Sequence, residues 1–101
     1  MFQITVLFVV PPLVVLLAKA KVVDNYDLMS LRSIVSGAAP LSEDIELLLN
    51  KRLGIDTVKQ GYGLTETTLG IICTPIDKNK NGSSGVLVPG VTCKVCSLIQ
   101  Q

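Results

Sequence analysis

The sequence predicts an α/β fold: a partial, mostly parallel βαβαβ sheet followed by short strands. Three observations predict it. Apolar residues make up 49% of the 101, many of them Val, Leu and Ile in long runs, while only 4% are aromatic. Such runs suit strands covered on both faces better than strands with one wet face. Between residues 4 and 60, β-branched runs alternate with segments of helical character, the order expected of parallel strands joined by right-handed crossovers. Gly and Pro punctuate the boundaries. The length allows one small domain at most, burying about 60–65% of its unfolded surface.

Residues 4–10, a continuous apolar run with β-branched members, read as a buried first strand. Pro11 and Pro12 end it, and proline fits the first turn of a helix, expected over 13–21. The stretch "VVDNYDLMSL" reads as a polar connection, with Asp27 or Ser30 starting a turn. "RSIVSG" is a second strand, closed by Gly37. "AAPLSEDIELLLNKRLG" carries the clearest helix. Ser42 is its N-cap, Glu43 and Asp44 suit its positive start, and Lys51 and Arg52 suit its negative end. Gly54 fits the left-handed residue beyond the C-terminus. Ile45, Leu48, Leu49 and Leu53 share a face. "IDTVKQ" is the third strand, and "LGIICTP" a fourth. Asn81-Gly82 is the tightest point of the loop "IDKNKNGSSG". "VLVPGVTCKVCSLI" supplies two more short strands, turned at Pro89-Gly90. The chain divides into a βαβαβ part over 4–75 and a loop with short strands over 76–101.

Composition excludes several function classes. Nine basic and eight acidic residues leave a net charge of +1 and no basic stripe, so the footprint of a nucleic-acid binder is missing. There is no histidine, which removes imidazole zinc sites and Ser-His-Asp chemistry. Three cysteines argue against a closed disulfide framework. Cys93 and Cys96 form a C-x-x-C. On a strand, positions three apart face opposite sides, so two half-buried thiols in a reducing compartment are expected. The apolar N-terminus ending in Ala18-Lys19-Ala20 has the look of a secretory leader. No basic residue precedes it, and its two prolines would break a spanning helix, so strand, turn and helix explain it better and no membrane span is expected.

Two loops gather the chemistry. In parallel α/β sheets, ligands sit beyond the C-terminal ends of strands. "SGAAPL" (36–41) follows the second strand and "QGYGLTETT" (60–68) the third, so both fall on one rim. Gly61 and Gly63 let backbone approach a planar ligand. Tyr62 offers a flat ring, Thr65 a hydroxyl for phosphate, and Glu66 an oxygen ligand for Mg²⁺. Gly-x-Gly alone is a weak signal, neither G-x-G-x-x-G nor a P-loop. From these features alone, Thr65 as a turn residue and Glu66 as a surface charge weigh equally with a nucleotide site.

"SGAAPLSEDIE" followed by "KQGYGLTETT" resembles the acyl-adenylate-forming superfamily of acyl-CoA synthetases, coumarate–CoA ligases and beetle luciferases. The diagnostic Tyr-Gly-x-Thr-Glu core is Tyr62-Gly63-Leu64-Thr65-Glu66. "VPPLVVLLAK", "YDLMSLRSIVSGAAPL" and "GSSGVLVPGVTCKV" are similar in the same order, so the resemblance spans nearly the whole chain. It is nearest the insect luciferase-like and coumarate–CoA ligase branch.

The resemblance implies ATP-dependent activation of a small carboxylic acid to an acyl-adenylate, followed by transfer to CoA or, alternatively, by luciferase-like oxidation. It places Ala38, Ala39 and Pro40 at adenine and Gly37 near the acyl group. Gln60, Gly61, Tyr62, Gly63 and Leu64 flank the adenylate. Thr65 meets phosphate and Glu66 binds Mg²⁺, the pair forming the catalytic set. Gly61, Leu69 and Gly70 border the acyl pocket. ATP or AMP, Mg²⁺ and CoA are the implied cofactors, and cytoplasm or peroxisome the implied compartment, although no C-terminal Ser-Lys-Leu address is present. Family members are several times longer. Their Ser/Thr/Gly-rich phosphate loop, ribose-binding Asp and C-terminal domain with its catalytic Lys have no counterpart in these residues. The expectation is a central slice of the large N-terminal domain, or a non-catalytic nucleotide-binding or interaction remnant. It is expected to be inactive alone and to self-associate through an uncovered sheet face.

Overall fold

The computed structural model describes residues 3–97. It contains β1 (Val6–Val9), α1 (Pro11–Lys19), β2 (Ser33–Ser36), α2 (Glu43–Leu53), β3 (Val58–Gly63), β4 (Gly70–Cys73) and β5 (Val86–Leu87), with 3₁₀ turns at Lys21–Asn25 and Thr65–Thr67. The five strands form one sheet in chain order. β1, β2 and β3 run parallel, aligning Leu7 with Ile34 and Ile34 with Val58. β3, β4 and β5 are antiparallel. The sheet is therefore mixed, its parallel half built from the two crossovers.

Local chemistry explains the helices. Pro11 and Pro12 occupy the first turn of α1 itself, where a missing N–H costs nothing. The Val10 carbonyl accepts the amides of Leu13 at 2.9 Å and Val14 at 3.3 Å. The helix thus begins two residues before the expected start. It also ends two residues early, because Ala20 turns to an extended ψ of 128° and Lys21 opens a 3₁₀ turn. Arg52 compensates from α2: its guanidinium donates to the carbonyls of Leu17 at 3.0 Å and Ala20 at 2.9 Å, and to Asp24 at 2.5 Å. A cation at a helix C-terminus also complements the macrodipole. Asp27 starts a turn as expected, accepting the Met29 amide at 2.9 Å.

In α2, Ser42 stands at the N-cap but makes no side-chain cap bond. Gly54 closes the helix in the left-handed region at φ 64°, its amide donating to Asn50 at 2.9 Å. The buried face runs through Glu46 and Leu49, with Ile45 and Leu53 partly buried, while Leu48 is exposed.

The core joins Val14 and Ala18 of α1, Ile34 of β2, Leu49 of α2 and Val58 of β3, with Leu31, Leu41 and Ile55 around them. Each fully buried Val, Leu or Ile contributes about 1.5–3 kcal/mol. Strand order advances steadily from β1 to β3, so two right-handed crossovers place both helices on one face, where α1 packs on α2. The expectation of strands covered on both faces is corrected accordingly. Val6 and Phe8 are exposed, Phe8 at 77%, and Phe8, Val35 and Lys59 align across the open face.

A second correction concerns the C-terminal segment. Beyond β5, residues 91–97 form no strand, and Cys93 and Cys96 are exposed rather than half-buried. A strand exists only through pairing, and β5 is the last strand of the sheet. The rest of the expected final strand lies outside the described residues, as do Met1 and Phe2. The N-terminal apolar run is split between β1 and α1, and no helix among the described residues is long and apolar enough to cross a membrane.

Candidate functional site

β3 does not stop at Gln60. It runs through the Gly-Tyr-Gly stretch as far as Gly63, because β4 returns antiparallel beside it and pairs Gly61 with Cys73, Tyr62 with Ile72 and Gly63 with Gly70. The register shifts between Tyr62 and Gly63, and the shift brings backbone very close. A Cβ added at Gly63 would lie 2.1 Å from the Leu69 carbonyl oxygen. Only glycine fits there.

After Gly63 the chain makes the Thr65–Thr67 turn, which the Thr67 hydroxyl holds. Its Oγ1 accepts the Leu64 amide at 2.9 Å and lies 2.8 Å and 2.9 Å from the carbonyl oxygens of Leu64 and Leu69. Thr68 follows in the left-handed region at φ 70°, its amide donating to Thr65 at 3.1 Å.

The other loop leaves β2 at Ser36. The Gly37 amide donates to the Val9 carbonyl at 3.3 Å, tying the loop to β1. A Cβ on Gly37 would sit 3.6 Å from the Gly61 carbonyl, so the two loops lie side by side, as parallel pairing of β2 with β3 requires. Ala38 takes φ 71°, a conformation that costs a non-glycine residue roughly 1–2 kcal/mol.

Together the loops enclose an open groove of about 860 Å³, lined by residues 8–10, Leu13, 35–38, 61–65 and 68–70. One wall is apolar, from the ends of β1 and β2 and the start of α1. The other is the Gly-Tyr-Gly strand and the turn after it. Of the sequence-predicted residues, Gly37, Ala38, Gly61, Tyr62, Gly63, Leu64, Thr65, Leu69 and Gly70 line the groove. Ala39, Pro40, Gln60 and Glu66 are not part of its lining. Tyr62 is half exposed, and Glu66 lies exposed on the turn beside Thr65.

Gln60 points inward instead. It is 5% exposed, and its amide nitrogen donates to the Leu41 carbonyl at 3.3 Å and to the Glu46 carboxylate. Its backbone N–H donates to the Thr74 hydroxyl at 2.9 Å, and its carbonyl accepts the Thr74 amide at 2.9 Å. Glu46, 1% exposed, uses its second oxygen to accept the Gly82 amide at 2.8 Å. One buried carboxylate thus joins α2, β3 and the loop before β5.

Sequence reasoning missed Glu46, Thr67, Thr68 and Thr74. A signal existed for Glu46, since 46, 49 and 53 share a helical face and mark it as a carboxylate among apolar neighbours. Thr67 stands three residues after Leu64, the spacing of a local hydroxyl-to-backbone staple. Nothing in the sequence pairs Thr74 with Gln60, fourteen residues away.

The sequence pattern of the family described as AMP-binding enzyme matches residues 1–98. A probable 4-coumarate–CoA ligase 1 of Dictyostelium discoideum is 41% identical over 97 residues, covering 95% of this chain and 18% of that protein. Luciferin 4-monooxygenase of Photinus pyralis is also 41% identical over 97 residues, covering 96% and 18%. Among solved structures, the anthranilate CoA ligase AuaEII in complex with anthranoyl-AMP superposes with a TM-score of 0.77 at 27% identity, covering 85% of this chain and 16% of that one. ATP-bound MatB from Rhodopseudomonas palustris gives 0.77 at 30% identity, covering 89% and 18%. The chain spans about 18% of the length of the relatives it matches.

Proposed function

Because the chain belongs to the AMP-binding enzyme family, we propose that its groove is the adenylate-binding part of an acid–thiol ligase, carried within residues 4–75. The observation that supports this most is the convergence of two separate loops on one groove: Gly37 and Ala38 on one side, residues 61–65 and 68–70 on the other. The half-exposed Tyr62 ring offers a stacking face for adenine, with Ala38, Ala39 and Pro40 on the adjoining rim. Gln60 acts from beneath, its side chain fixing β3 rather than touching ligand. Gly61, Leu69 and Gly70 border the acyl end, next to the apolar wall, where a small carboxylic acid would lie.

Thr65 donates its hydroxyl to the α-phosphate, where charge accumulates as the adenylate forms. Glu66 fits Mg²⁺: a single exposed carboxylate suffices for an ion that takes one or two protein carboxylates, phosphates and waters. Bound there, the metal would supply Lewis-acid polarisation of a phosphoryl oxygen. CoA would accept the acyl group in the second half of the reaction.

Adenylation also needs groups that cradle the triphosphate and ribose, and among the described residues the groove lining offers hydroxyls, with the Glu66 carboxylate nearby, but no cationic side chain for that. By itself the chain would bind adenylate without turning it over, in the cytosol or peroxisome. Isothermal calorimetry with AMP tests the reading. AMP should bind, and Tyr62→Ala should weaken it by about 1–3 kcal/mol, the usual worth of a base–aromatic stack. No heat from AMP at millimolar concentration would overturn the reading. Acid-dependent pyrophosphate release by the purified chain would overturn the part that denies turnover.

A further inference from the structure

All three cysteines carry free thiols, and all three are exposed. Their surroundings differ. Cys73 lies on β4, its backbone paired with Gly61 on one side and Val86 on the other, so the sheet fixes its position. Cys93 and Cys96 lie within residues 91–97, which belong to no strand, helix or turn. The Val91 amide donates to the Val88 carbonyl at 3.3 Å. Beyond it, among the described residues, no backbone hydrogen bond engages residues 92–97. Their side chains are exposed throughout.

On a strand, residues three apart face opposite sides, which would keep the two thiols from meeting. Off the strand that obstacle is gone. A disulfide needs Cα atoms about 4.4–6.8 Å apart, and a four-residue β-turn brings its first and last Cα within about 7 Å. Lys94 and Val95 would take the central positions, where a type I turn accepts most residue types. Turning residues 93–96 breaks no ladder bond and uncovers no buried side chain.

The structure assigns to Cys93 and Cys96 a modification site: a reversible dithiol–disulfide pair, oxidised by a small disulfide of the glutathione class. One thiolate of the pair attacks a sulfur of oxidised glutathione. The small S–S bond breaks, and one glutathione thiolate leaves. The other cysteine thiolate then attacks the protein sulfur of that mixed disulfide and expels the second glutathione. Two protein thiols are oxidised, one small disulfide is reduced, and both protons end on glutathione thiols. The second step closes a ring of only four residues, so it outruns attack by free glutathione. An exposed disulfide is also open to the reverse reaction, which makes this bond labile rather than structural. Cys73 has no cysteine among its strand partners and stops at the mixed disulfide. None of the three cysteines lines the groove, so the proposal stands apart from the adenylate reading.

The test incubates the full 101-residue chain, dilute and undenatured, with oxidised glutathione, and reads intact mass and a peptide map. The expected product carries a single glutathione, on Cys73, and has lost two hydrogens across a Cys93–Cys96 link. Excess reduced glutathione should return all three thiols. Cys96→Ser should instead hold a second glutathione, on Cys93, and Cys93→Ser should hold one on Cys96. Each adduct should fall at least about 10-fold lower in the parent, where the neighbouring thiol resolves it. Both variants should melt with the parent, because both side chains are exposed. Separate glutathione adducts on Cys93 and Cys96 of the parent would sink the proposal. So would a link from either to Cys73 or to a second chain, and so would survival of these two thiols, whatever Cys73 does.

Discussion

The two glycines of the Gly-Tyr-Gly stretch look equivalent in sequence, and the structure predicts that alanine at each will behave very differently. At Gly63 an added Cβ lies 2.1 Å from the Leu69 carbonyl oxygen and 2.7 Å from the Gly70 Cα. Non-bonded Cβ contacts essentially never fall below 3.0 Å, so the β4 backbone would have to retreat by about 0.9 Å. These are main-chain atoms, and no side chain can swing away. The Gly63–Gly70 pairing and the Thr67 staple onto the Leu69 carbonyl would move with them. Overpacking costs about 1–3 kcal/mol where side chains can adjust, and a rigid backbone neighbour places Gly63→Ala at the upper end, about 3 kcal/mol.

A chain of this size holds about 5–15 kcal/mol in total. At roughly 4–8 °C per kcal/mol, Gly63→Ala should melt about 12–24 °C lower. At Gly61 an added Cβ meets only the Ile72 carbonyl, at an ordinary 3.8 Å, and alanine there should change the midpoint by no more than about 4 °C. Gly54 provides the intermediate case. Its Cβ would meet nothing within 4 Å, but its φ of 64° is left-handed, so alanine should cost about 1 kcal/mol. Circular dichroism melts of the three variants, with amide exchange at Gly63 and Gly70, provide the measurement. Similar midpoints for Gly63→Ala and Gly61→Ala would refute the close approach.

Other substitutions probe the contacts that hold the groove in place. Glu46→Gln keeps the shape but turns an amide N–H toward either the Gln60 amide or the Gly82 N–H. It should lose about 1–3 kcal/mol and deprotect the Gly82 amide; unchanged exchange there would exclude the clamp. Arg52→Met removes the donors to Leu17 and Ala20 and should cost about 1–3 kcal/mol. Asp24→Asn should cost under about 1 kcal/mol, because its side chain is 67% exposed and surface pairs contribute little; equal losses would show that the ion pair, not the helix cap, matters. The open sheet face predicts association. Sedimentation should show concentration-dependent self-association that Phe8→Ser weakens without lowering the melting midpoint, and a monomer at all concentrations would contradict that use of the face.

Much of the fold was legible in the sequence because its determinants are local. Caps, prolines and periodicity act within a few residues, which is why the βαβαβ order, the Gly54 stop and the two rim loops could be read directly. Parallel pairing of neighbouring strands then sufficed to bring both loops to one groove. What the tertiary structure alone decided depends on partners distant in the chain. Both helices went to one face because the strand order never reverses. Gln60 turned inward because Glu46 and Thr74 meet it there. Gly63, unlike Gly61, became irreplaceable because β4 folds back with a shifted register and lays its backbone against it. Thr68 took its place on the groove wall through the same return. A residue's own type states what it can do; which neighbour it meets is set by contacts that close only when the chain has folded.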